Sequence, residues 1–523
     1  MVKHPCFLPK ASLLLPLQFF ISFVFLLKLC CTSVINPIPN FDLTSVTLSP
    51  KKTGFTISGN LAGDWFGFSV KTAGDINKDG YDDFIIGANL KNSNRGTAYI
   101  IYGGPINSFV DIDLSITSLN PATTGFYIAG EAAGDLFGVS VSAAGDINKD
   151  GYADMIIGAP GKNAAYVIYG KPSYTTNIEL SVTPLDPATT GFKITGVASG
   201  DQFGMSVSTA GDINKDGYAD MVIGAQINNY DRGAVYVIYG KPSYTSNFNL
   251  GTTPLNSATT GFTIIGNVPG DRFGCSVSEA GDVNGDTYDD IVIGAEFKNY
   301  YRGYAYVVYG KANPVDIDLS GSTVLDPAST GFLISGENLG DHIGFSVSKA
   351  GDVNGDGYGD IIVGGYGVNS AAGGAYVIYG RSNLANIILA NGPLDPATTG
   401  FKMSGGAAGD HLGSAVSTAG DMNGDGYDEI LVGADWWNSK RGKAYVIYGS
   451  GTPQNFDFSS GIVLDPQSTG FTITGAAGTQ NLGYGVGIAG DINQDGFPDI
   501  LVGMYMKNSG RGAVNVIHAG ILG

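Results

Sequence analysis

The chain has 523 residues, of which 47 are acidic and 28 basic, so its formal charge is −19. A negative surplus of this size disfavours binding to nucleic acid, whose phosphates need basic partners. Three of the four cysteines lie within the first 33 residues, which leaves Cys275 alone in the rest of the chain. A disulfide framework is therefore not expected.

Residues 1–33 have the organisation of an export signal. Lys3 and Lys10 precede an apolar run of 17 residues from Ala11 to Leu27, and small residues follow at Thr32 and Ser33. Because that length is also the lower limit for a membrane span, an uncleaved signal anchor is the alternative to a cleaved signal peptide. We predict a secreted or cell-surface protein that contacts a membrane only if this segment stays uncleaved. Residues 34–52 are predicted to lead into the next domain.

From residue 53 onward the sequence repeats one unit seven times, starting near residues 53, 124, 190, 260, 330, 399 and 469. The first unit contains four strand-like segments, GFTISG, FGFSVKTAG, DFIIGAN and GTAYIIYG. Four strands per unit are typical of a propeller blade. The repeats open on a GFTISG strand and stop after a GTAYIIYG-type strand, so the first strand would close the last blade and hide the sheet edges. We predict an all-β, seven-bladed β-propeller of four-stranded antiparallel blades over residues 53–523.

An acidic loop of the form DxNxDGxxD joins the second and third segments of every unit. Loop positions one, three, five and nine offer side-chain oxygens and position seven a backbone carbonyl, which is how proteins wrap a hard cation such as calcium. The predicted ligands, loop by loop, are Asp75, Asn77, Asp79, Tyr81, Asp83; Asp146, Asn148, Asp150, Tyr152, Asp154; Asp212, Asn214, Asp216, Tyr218, Asp220; Asp282, Asn284, Asp286, Tyr288, Asp290; Asp352, Asn354, Asp356, Tyr358, Asp360; Asp421, Asn423, Asp425, Tyr427, Glu429; and Asp491, Asn493, Asp495, Phe497, Asp499.

These loops predict up to seven calcium ions, which would bring the formal charge to about −5. They are not EF-hands, since position twelve is apolar, as at Ile86, where an EF-hand has a glutamate. The alternative without metal is a set of Asx turns, in which Asp and Asn bond their own backbone. Thr287 stands where the other loops have glycine, so the fourth loop is expected to be strained or weak.

The units carry two further recurring elements. An FG pair begins the second segment, as in Phe66-Gly67, and a GA pair ends the third, as in Gly87-Ala88. In these elements and in the loop between them, the units resemble FG-GAP repeats, which build the integrin α-subunit β-propeller. The GAP element is complete only at Gly158, Ala159 and Pro160, and the fifth and seventh units depart from it with Gly364-Gly365 and Gly503-Met504. The resemblance implies an extracellular, calcium-binding, non-catalytic module for adhesion or ligand recognition.

Hairpin connectivity places the calcium loops on one face of the disc and the connections between the third and fourth segments on the other. Integrin-like propellers are similar in using that opposite face for ligands. Aromatic and arginine side chains, the usual anchors of recognition surfaces, occur there. The candidate ligand contacts are Tyr230, Tyr300, Tyr301, Trp436, Trp437 and Arg441, although an arginine that recurs in five units, Arg441 among them, is also explained by blade architecture. The expected partner is an extracellular protein or glycan.

Catalysis is the rival function class, because hydrolases and polysaccharide lyases with similar calcium-bearing propellers exist. The histidines outside the leader, His342, His411 and His518, occupy ordinary repeat positions, and no nucleophile or carboxylate pair stands out from the repeat background. We predict that the protein is not an enzyme and has no catalytic residues. A purely structural cell-surface protein is the remaining alternative.

Overall fold

The structure is a computed structural model that describes residues 39–320, 324–476 and 478–520. The predicted export signal at residues 1–33 and the start of the predicted leader lie outside the described residues. Within the described ranges, no helix has both the length and the apolar composition that a membrane crossing needs.

The described residues form strands grouped into seven sheets. In chain order they are β1 (Phe41–Asp42), β2 (Gly54–Ser58), β3 (Phe66–Gly74), β4 (Asp83–Ala88), β5 (Thr97–Ile101), β6 (Ile112–Asp113), β7 (Gly125–Ala129), β8 (Val141–Gly145), β9 (Asp154–Ala159), β10 (Ala164–Ile168), β11 (Ile178–Glu179), β12 (Gly191–Thr195), β13 (Phe203–Gly211), β14 (Asp220–Ala225), β15 (Ala234–Ile238), β16 (Phe248–Asn249), β17 (Gly261–Ile265), β18 (Val277–Gly281), β19 (Asp290–Ala295), β20 (Tyr304–Val308), β21 (Ile317–Asp318), β22 (Gly331–Ser335), β23 (Ser346–Gly351), β24 (Asp360–Gly365), β25 (Gly374–Ile378), β26 (Ile387–Ile388), β27 (Gly400–Ser404), β28 (Leu412–Gly420), β29 (Glu429–Ala434), β30 (Lys443–Ile447), β31 (Phe456–Asp457), β32 (Gly470–Thr474), β33 (Val486–Gly490), β34 (Asp499–Gly503) and β35 (Ala513–Ile517).

Each sheet is one blade of a seven-bladed propeller, which confirms the predicted fold class. From the axis outward, blades one to seven are β3-β4-β5-β7-β11, β8-β9-β10-β12-β16, β13-β14-β15-β17-β21, β18-β19-β20-β22-β26, β23-β24-β25-β27-β31, β28-β29-β30-β32-β1 and β33-β34-β35-β2-β6. The four predicted strands are antiparallel, but each blade also has a fifth strand of two residues that runs parallel to the fourth. A two-residue strand is too short to produce a recognisable sequence period.

Short helical turns connect some of the strands. Six four-residue turns lie between the second and third strands of their blades, at Lys91–Asn94, Asn228–Asp231, Lys298–Tyr301, Val368–Ala371, Trp437–Lys440 and Lys507–Gly510. Their later residues have positive φ angles, so these turns are left-handed. The 3-10 turns are Ile106–Ser108, Pro160–Lys162, Leu389–Asn391 and Phe458–Ser460.

The two ends of the described chain meet in blades six and seven. Strand β2 pairs antiparallel with β35 along five residues, from Gly54 opposite Ile517 to Ser58 opposite Ala513. This pairing is the predicted closure of the seventh blade by the first strand of the repeats. Strand β1, within the predicted leader, adds the fifth strand of blade six by pairing with β32. The ring is therefore closed through two blades.

Seven buried clusters fill the seven interfaces between neighbouring blades. The cluster between blades seven and one contains Phe55 and Ile57 from β2, Phe84 from β4 and Leu501 from β34. The cluster between blades one and two has the equivalent residues, among them Ile128 from β7. The closing interface therefore has the same kind of apolar core as the other six. This packing, rather than a covalent link, holds blades seven and one together.

Paired glycines let adjacent blades approach closely, which explains the FG and GA elements. A Cβ atom on Gly87, in the GA pair of blade one, would lie 2.0 Å from the carbonyl oxygen of Gly138, in the FG pair of blade two. The same contact recurs at all seven interfaces, with distances of 1.9–2.1 Å. No side chain fits in that space, so glycine is required at the end of each third repeat segment.

The closing strand can be tested with two equivalent isoleucines. Ile57 in β2 and Ile128 in β7 are both 0% exposed and occupy the same position of a fourth strand. We expect Ile57→Ala and Ile128→Ala each to lower the free energy of unfolding by about 2–5 kcal/mol, because each leaves a cavity in a blade interface. Denaturant unfolding measures both. A much smaller loss for Ile57→Ala would show that the closing strand is frayed.

Candidate metal centres and the opposite face

Each acidic loop connects the innermost strand of a blade to its second strand. In blade one it leaves β3 at Gly74 and ends at Asp83, the first residue of β4. The sheet pairing fixes both ends of the loop, since Gly74 lies opposite Asp83 in the β3–β4 register. The loops of all seven blades therefore lie on the same face of the disc, as the sequence predicts.

A network of hydrogen bonds from the backbone folds each loop around its own side chains. In blade one, Asp75 Oδ2 accepts a hydrogen bond from the Gly80 nitrogen at 2.9 Å, and Asn77 Oδ1 accepts one from the Asp79 nitrogen at 2.9 Å. Asp79 Oδ1 accepts one from the Tyr81 nitrogen at 3.0 Å. The Asx turns of the alternative interpretation are thus present. They use only part of the oxygen donors, because each carboxylate has further lone pairs.

The ninth position of each loop is a carboxylate buried at the start of the second strand. Asp83 is 0% exposed and accepts hydrogen bonds from the backbone nitrogens of Ile76 at 3.2 Å and Gly103 at 2.9 Å. Burial is the main reason that its pKa is raised to about 8; repulsion from Asp79 and Asp75 also raises it, and the two hydrogen bonds lower it. The equivalent groups behave alike, with pKa values of about 8 at Asp154, Asp220, Asp290 and Asp360, about 9 at Glu429 and about 6 at Asp499.

The donor set suits a hard cation. Carboxyl oxygens of Asp421, Asp425 and Glu429 lie within 4.8 Å of one another, the one acidic group of this kind among the described residues. Glu429 is one methylene longer than the aspartates at its position, which brings its carboxylate towards the loop. Buried oxygens of Asp212 and Asp495, at ligand positions one and five, have no hydrogen-bond partner. Clustered carboxylates and unpaired oxygens are chemically matched to calcium.

Neighbouring loops are joined by aspartates outside the predicted ligand set. The eighth-position carboxylate accepts a hydrogen bond from the backbone nitrogen of the first aspartate in the preceding blade. These bonds join Asp82 to Asp491 at 2.9 Å, Asp289 to Asp212 at 2.8 Å and Asp428 to Asp352 at 2.8 Å. The sequence signal that could have revealed them is an acidic residue at position eight in three of the seven loops.

The fourth loop has the exceptional backbone that the sequence predicts. Thr287 has a φ of 79°, close to the 88° of Gly217 at the same position of the third loop. A β-branched residue is disfavoured in this left-handed region, because its Cβ substituents crowd the backbone. The hydroxyl of Thr287 accepts a hydrogen bond from the Lys215 ammonium.

Replacing Thr287 with glycine should relieve this strain. We expect Thr287→Gly to raise the free energy of unfolding by about 0.5–1 kcal/mol, the left-handed penalty less the entropy that glycine adds to the unfolded chain. Denaturant unfolding at saturating calcium measures the change. Gly217→Thr is the matched control and should have the opposite sign. A destabilised Thr287→Gly variant would show that the Lys215 contact outweighs the backbone strain.

On the opposite face, three of the five recurring arginines, Arg95, Arg441 and Arg511, fasten the outer strands of their own blades. Arg95 Nε donates to the carbonyl of Gly130 at 2.5 Å, and its Nη2 forms an ion pair with Glu179 of β11 at 2.7 Å. Arg441 has the same arrangement with Gly475 and with Asp42 of β1, at 2.5 Å from that carboxylate. Blade architecture thus accounts for the Arg441 side chain, and its role in ligand contact stays a prediction.

The two tryptophans of blade six are largely packed. His411 stacks on Trp436 with 4.4 Å between ring centroids, and the Lys440 ammonium lies 4.1 Å from the same ring. Trp436 is 41% exposed, whereas Trp437 is partly buried against the core between blades five and six. Their predicted role in ligand contact is not excluded by this packing, but part of each ring already stabilises the blade.

The tyrosines of blades three and four are more exposed than Trp436. Tyr230 is 86% exposed and Tyr300 79% exposed, each at the third position of its left-handed turn. Four other turns carry serine at that position, namely Ser93, Ser370, Ser439 and Ser509. Tyr301 is 48% exposed and packs on Phe297 at 4.7 Å between centroids. Two adjacent blades therefore present large rings where the repeat otherwise has a small polar residue.

The histidines of this face are part of a row of stacked rings. His342 stacks on Tyr366 with 4.5 Å between centroids, and Tyr366 lies 5.3 Å from His411. His342 Nδ1 is 3.4 Å from the Glu296 carboxylate. Burial raises the pKa of Tyr366 to about 12, so this phenol keeps its proton at neutral pH and is unsuited to act as a base. His518 is fully buried near Asp499, away from this row.

The repeats match a known family. A family model described as "FG-GAP repeat" matches residues 66–101, 137–169, 203–238, 277–308 and 412–447. The chain is an FG-GAP repeat protein. The fifth and seventh repeats lie outside the match, and they are the two in which the GA pair is altered.

Relatives of this FG-GAP protein include several integrin α subunits. Integrin alpha pat-2 of Caenorhabditis elegans is 31% identical over 246 residues, which is 44% of this chain and 18% of the relative. Integrin alpha-5 of Xenopus laevis is 30% identical over 251 residues, or 44% of this chain and 20% of the relative. Integrin alpha-V of Gallus gallus is 28% identical over 235 residues. The FG-GAP protein thus corresponds to a limited part of these longer relatives.

Proposed function

We propose that this FG-GAP protein is an extracellular, calcium-binding and non-catalytic recognition module, similar to the propeller of an integrin α subunit. The observation that carries the proposal is the difference between the two faces of the disc. One face repeats the same oxygen-rich loop in every blade, whereas the other differs from blade to blade and exposes Tyr230 and Tyr300. Uniform loops suit a structural ion, and a varied aromatic surface suits a specific partner.

Calcium is proposed to stabilise the ring. The seven loops bring together buried or clustered carboxylates whose mutual repulsion a divalent cation would remove. With a dissociation constant near 10⁻⁴ M and about 1 mM calcium, each site would add roughly 1.4 kcal/mol to the free energy of unfolding. Seven independent sites would add about 10 kcal/mol, which is comparable with the whole stability of a typical domain.

Chelation tests the calcium sites, and pH sharpens the test. The raised pKa of Asp83, about 8 against its usual 3.8, means that the folded state holds this proton more tightly than the unfolded state. Without calcium, stability should therefore fall as pH rises from about 4 to about 8, and calcium should restore it at the upper end. We expect EDTA to lower the melting temperature substantially at about pH 8 and less at about pH 5.5.

Calorimetry with and without EDTA at both pH values measures these melting temperatures. A melting temperature that EDTA leaves unchanged at the higher pH would contradict calcium binding by the loops. A loss of equal size at both pH values would show that the ninth-position carboxylates are not the groups that calcium neutralises.

The recognition face is proposed to bind an extracellular protein or glycan through the tyrosines of blades three and four. The partner should be captured from the extracellular medium or the cell surface in calcium and lost in EDTA. Tyr230→Ser combined with Tyr300→Ser should abolish capture and leave calcium stoichiometry unchanged, because serine occupies the same turn position in four other blades. Trp436→Ala and Trp437→Ala test blade six, with the melting temperature monitored because both rings are packed.

Val182→Ser is the control for this experiment, because Val182 is 77% exposed and lies outside the turns of the recognition face. Capture that persists in the double tyrosine variant would contradict the assignment of these residues. Turnover of a candidate polysaccharide or lipid by the purified protein would favour the rival enzymatic function. Failure to capture any partner in calcium would favour a purely structural role.

A further inference from the structure

One lysine interrupts a ring of small residues around the propeller axis. The ring is made by the sixth residue of each innermost strand segment, counted from the FG pair. These residues are Lys71, Ser142, Ser208, Ser278, Ser348, Ser417 and Gly487. Five hydroxyls, one ammonium and one glycine thus occupy equivalent positions, so blade one differs from the others by a full positive charge.

The lysine ammonium uses only part of its bonding capacity within the protein. Lys71 Nζ donates a hydrogen bond to Ser417 Oγ at 3.0 Å. An ammonium group has three N–H donors, so two remain. Among the described residues Lys71 forms no ion pair, whereas Lys349, one strand position further along in blade five, is paired with Glu279 at 3.2 Å. Glu279 also attracts Lys71, so two ammonium groups share this one carboxylate.

The neighbouring blade provides room for the lysine stem. Gly487 of blade seven takes the position that serine holds in five other blades. A Cβ atom on Gly487 would lie 2.5 Å from the carbonyl oxygen of Val70, so the backbone of blade one already requires glycine there, and at 3.3 Å from Lys71 Cδ it would also crowd the lysine. The pair of changes, lysine in blade one and glycine beside it in blade seven, lets the long side chain cross the channel.

Lys71 lies at the end of a central cavity that is farther from the recognition face, which is called the inner end below. The cavity has a volume of about 390 Å³ and is lined by the innermost strands of all seven blades, with Arg272 and Glu296 on the side of the recognition face. At its inner end it is lined by Lys71, Ser208 and Ser278. Ser208 and Ser278 are 9% and 8% exposed, and within the described part of the chain their hydroxyls bond to no other group. Their free donors face the cavity.

The charges around this cavity leave the lysine unbalanced. Arg272 packs its guanidinium over the Phe297 ring at 4.0 Å, and Glu296 faces His342. Burial lowers the pKa of Lys71 to about 8, against which Glu279 acts to raise it, so most molecules carry the positive charge at neutral pH. Because Lys71 shares the Glu279 carboxylate with Lys349, it has no carboxylate of its own, and its positive charge favours an anion in the cavity.

We propose that the central cavity binds a small carboxylate, held by the Lys71 ammonium and by the hydroxyls of Ser208 and Ser278. Charge-assisted hydrogen bonds from an ammonium and from hydroxyls are the usual way in which a desolvated carboxylate is held. The volume accommodates an organic acid of several non-hydrogen atoms. The site is separate from the exposed tyrosines, so it goes beyond the proposed recognition function and can fail independently of it.

Calorimetric titration with sodium acetate tests the proposal, in calcium buffer and with sodium chloride at equal ionic strength as the reference. We expect saturable acetate binding to the wild type and at least about tenfold weaker binding to Lys71→Met, because the variant loses the charged donor. Lys52→Met is the matched control, since it removes the same charge from an exposed position and should bind acetate as the wild type does.

A second variant keeps the lysine and removes the hydroxyls. Ser208→Ala combined with Ser278→Ala should weaken acetate binding severalfold. In the wild type, bound acetate should protect Lys71 from acetylation by acetic anhydride, which mass spectrometry measures. Absence of saturable binding to the wild type, or equal binding to Lys71→Met, would overturn the proposal. If acetate also displaces a captured partner, the natural occupant is an acidic side chain of that partner; if capture is unaffected, it is a free organic acid.

Discussion

The structure depends on the close approach of two glycine backbones at every blade interface. One glycine begins the GA pair of a blade and the other belongs to the FG pair of the next, and the carbonyl oxygen of the second occupies the space where a Cβ atom of the first would be. Because the contact recurs at all seven interfaces, it sets the distance between neighbouring blades. The apolar clusters, the central cavity and the loop positions all depend on that distance.

The acidic loops take advantage of this regular packing. Each loop is short because the register of β3 with β4, and of the equivalent pairs, places its two ends opposite each other. The close spacing of blades also brings one loop within hydrogen-bond distance of the next, as Asp289 and Asp212 show. A loop that orders itself therefore helps to order its neighbour at the three junctions where such a bond is present.

Much of this architecture could be predicted from the sequence, because the repeat displays each local rule seven times. The four long strands, the closing role of β2 and the common face of the acidic loops follow from strand period and connectivity. The fifth strands could not be predicted, since segments such as Ile112–Asp113 are too short to show a period. Nor could the packing of Trp436 between His411 and Lys440, because it joins side chains from separate turns. The position of Lys71 in the repeat is visible in the sequence, but its place beside the central cavity is visible only in the structure.

The short fifth strand changes how the chain is threaded through the ring. Each of the first six repeats begins as the fourth strand of the preceding blade, builds the three inner strands of its own blade, and then returns to the preceding blade as the fifth strand. Consecutive blades are thus joined twice, because the chain returns to the preceding blade before it continues to the next. Separating two blades therefore requires breaking backbone hydrogen bonds between strands as well as separating apolar surfaces. The smallest segment of this ring that can unfold on its own is accordingly larger than one repeat.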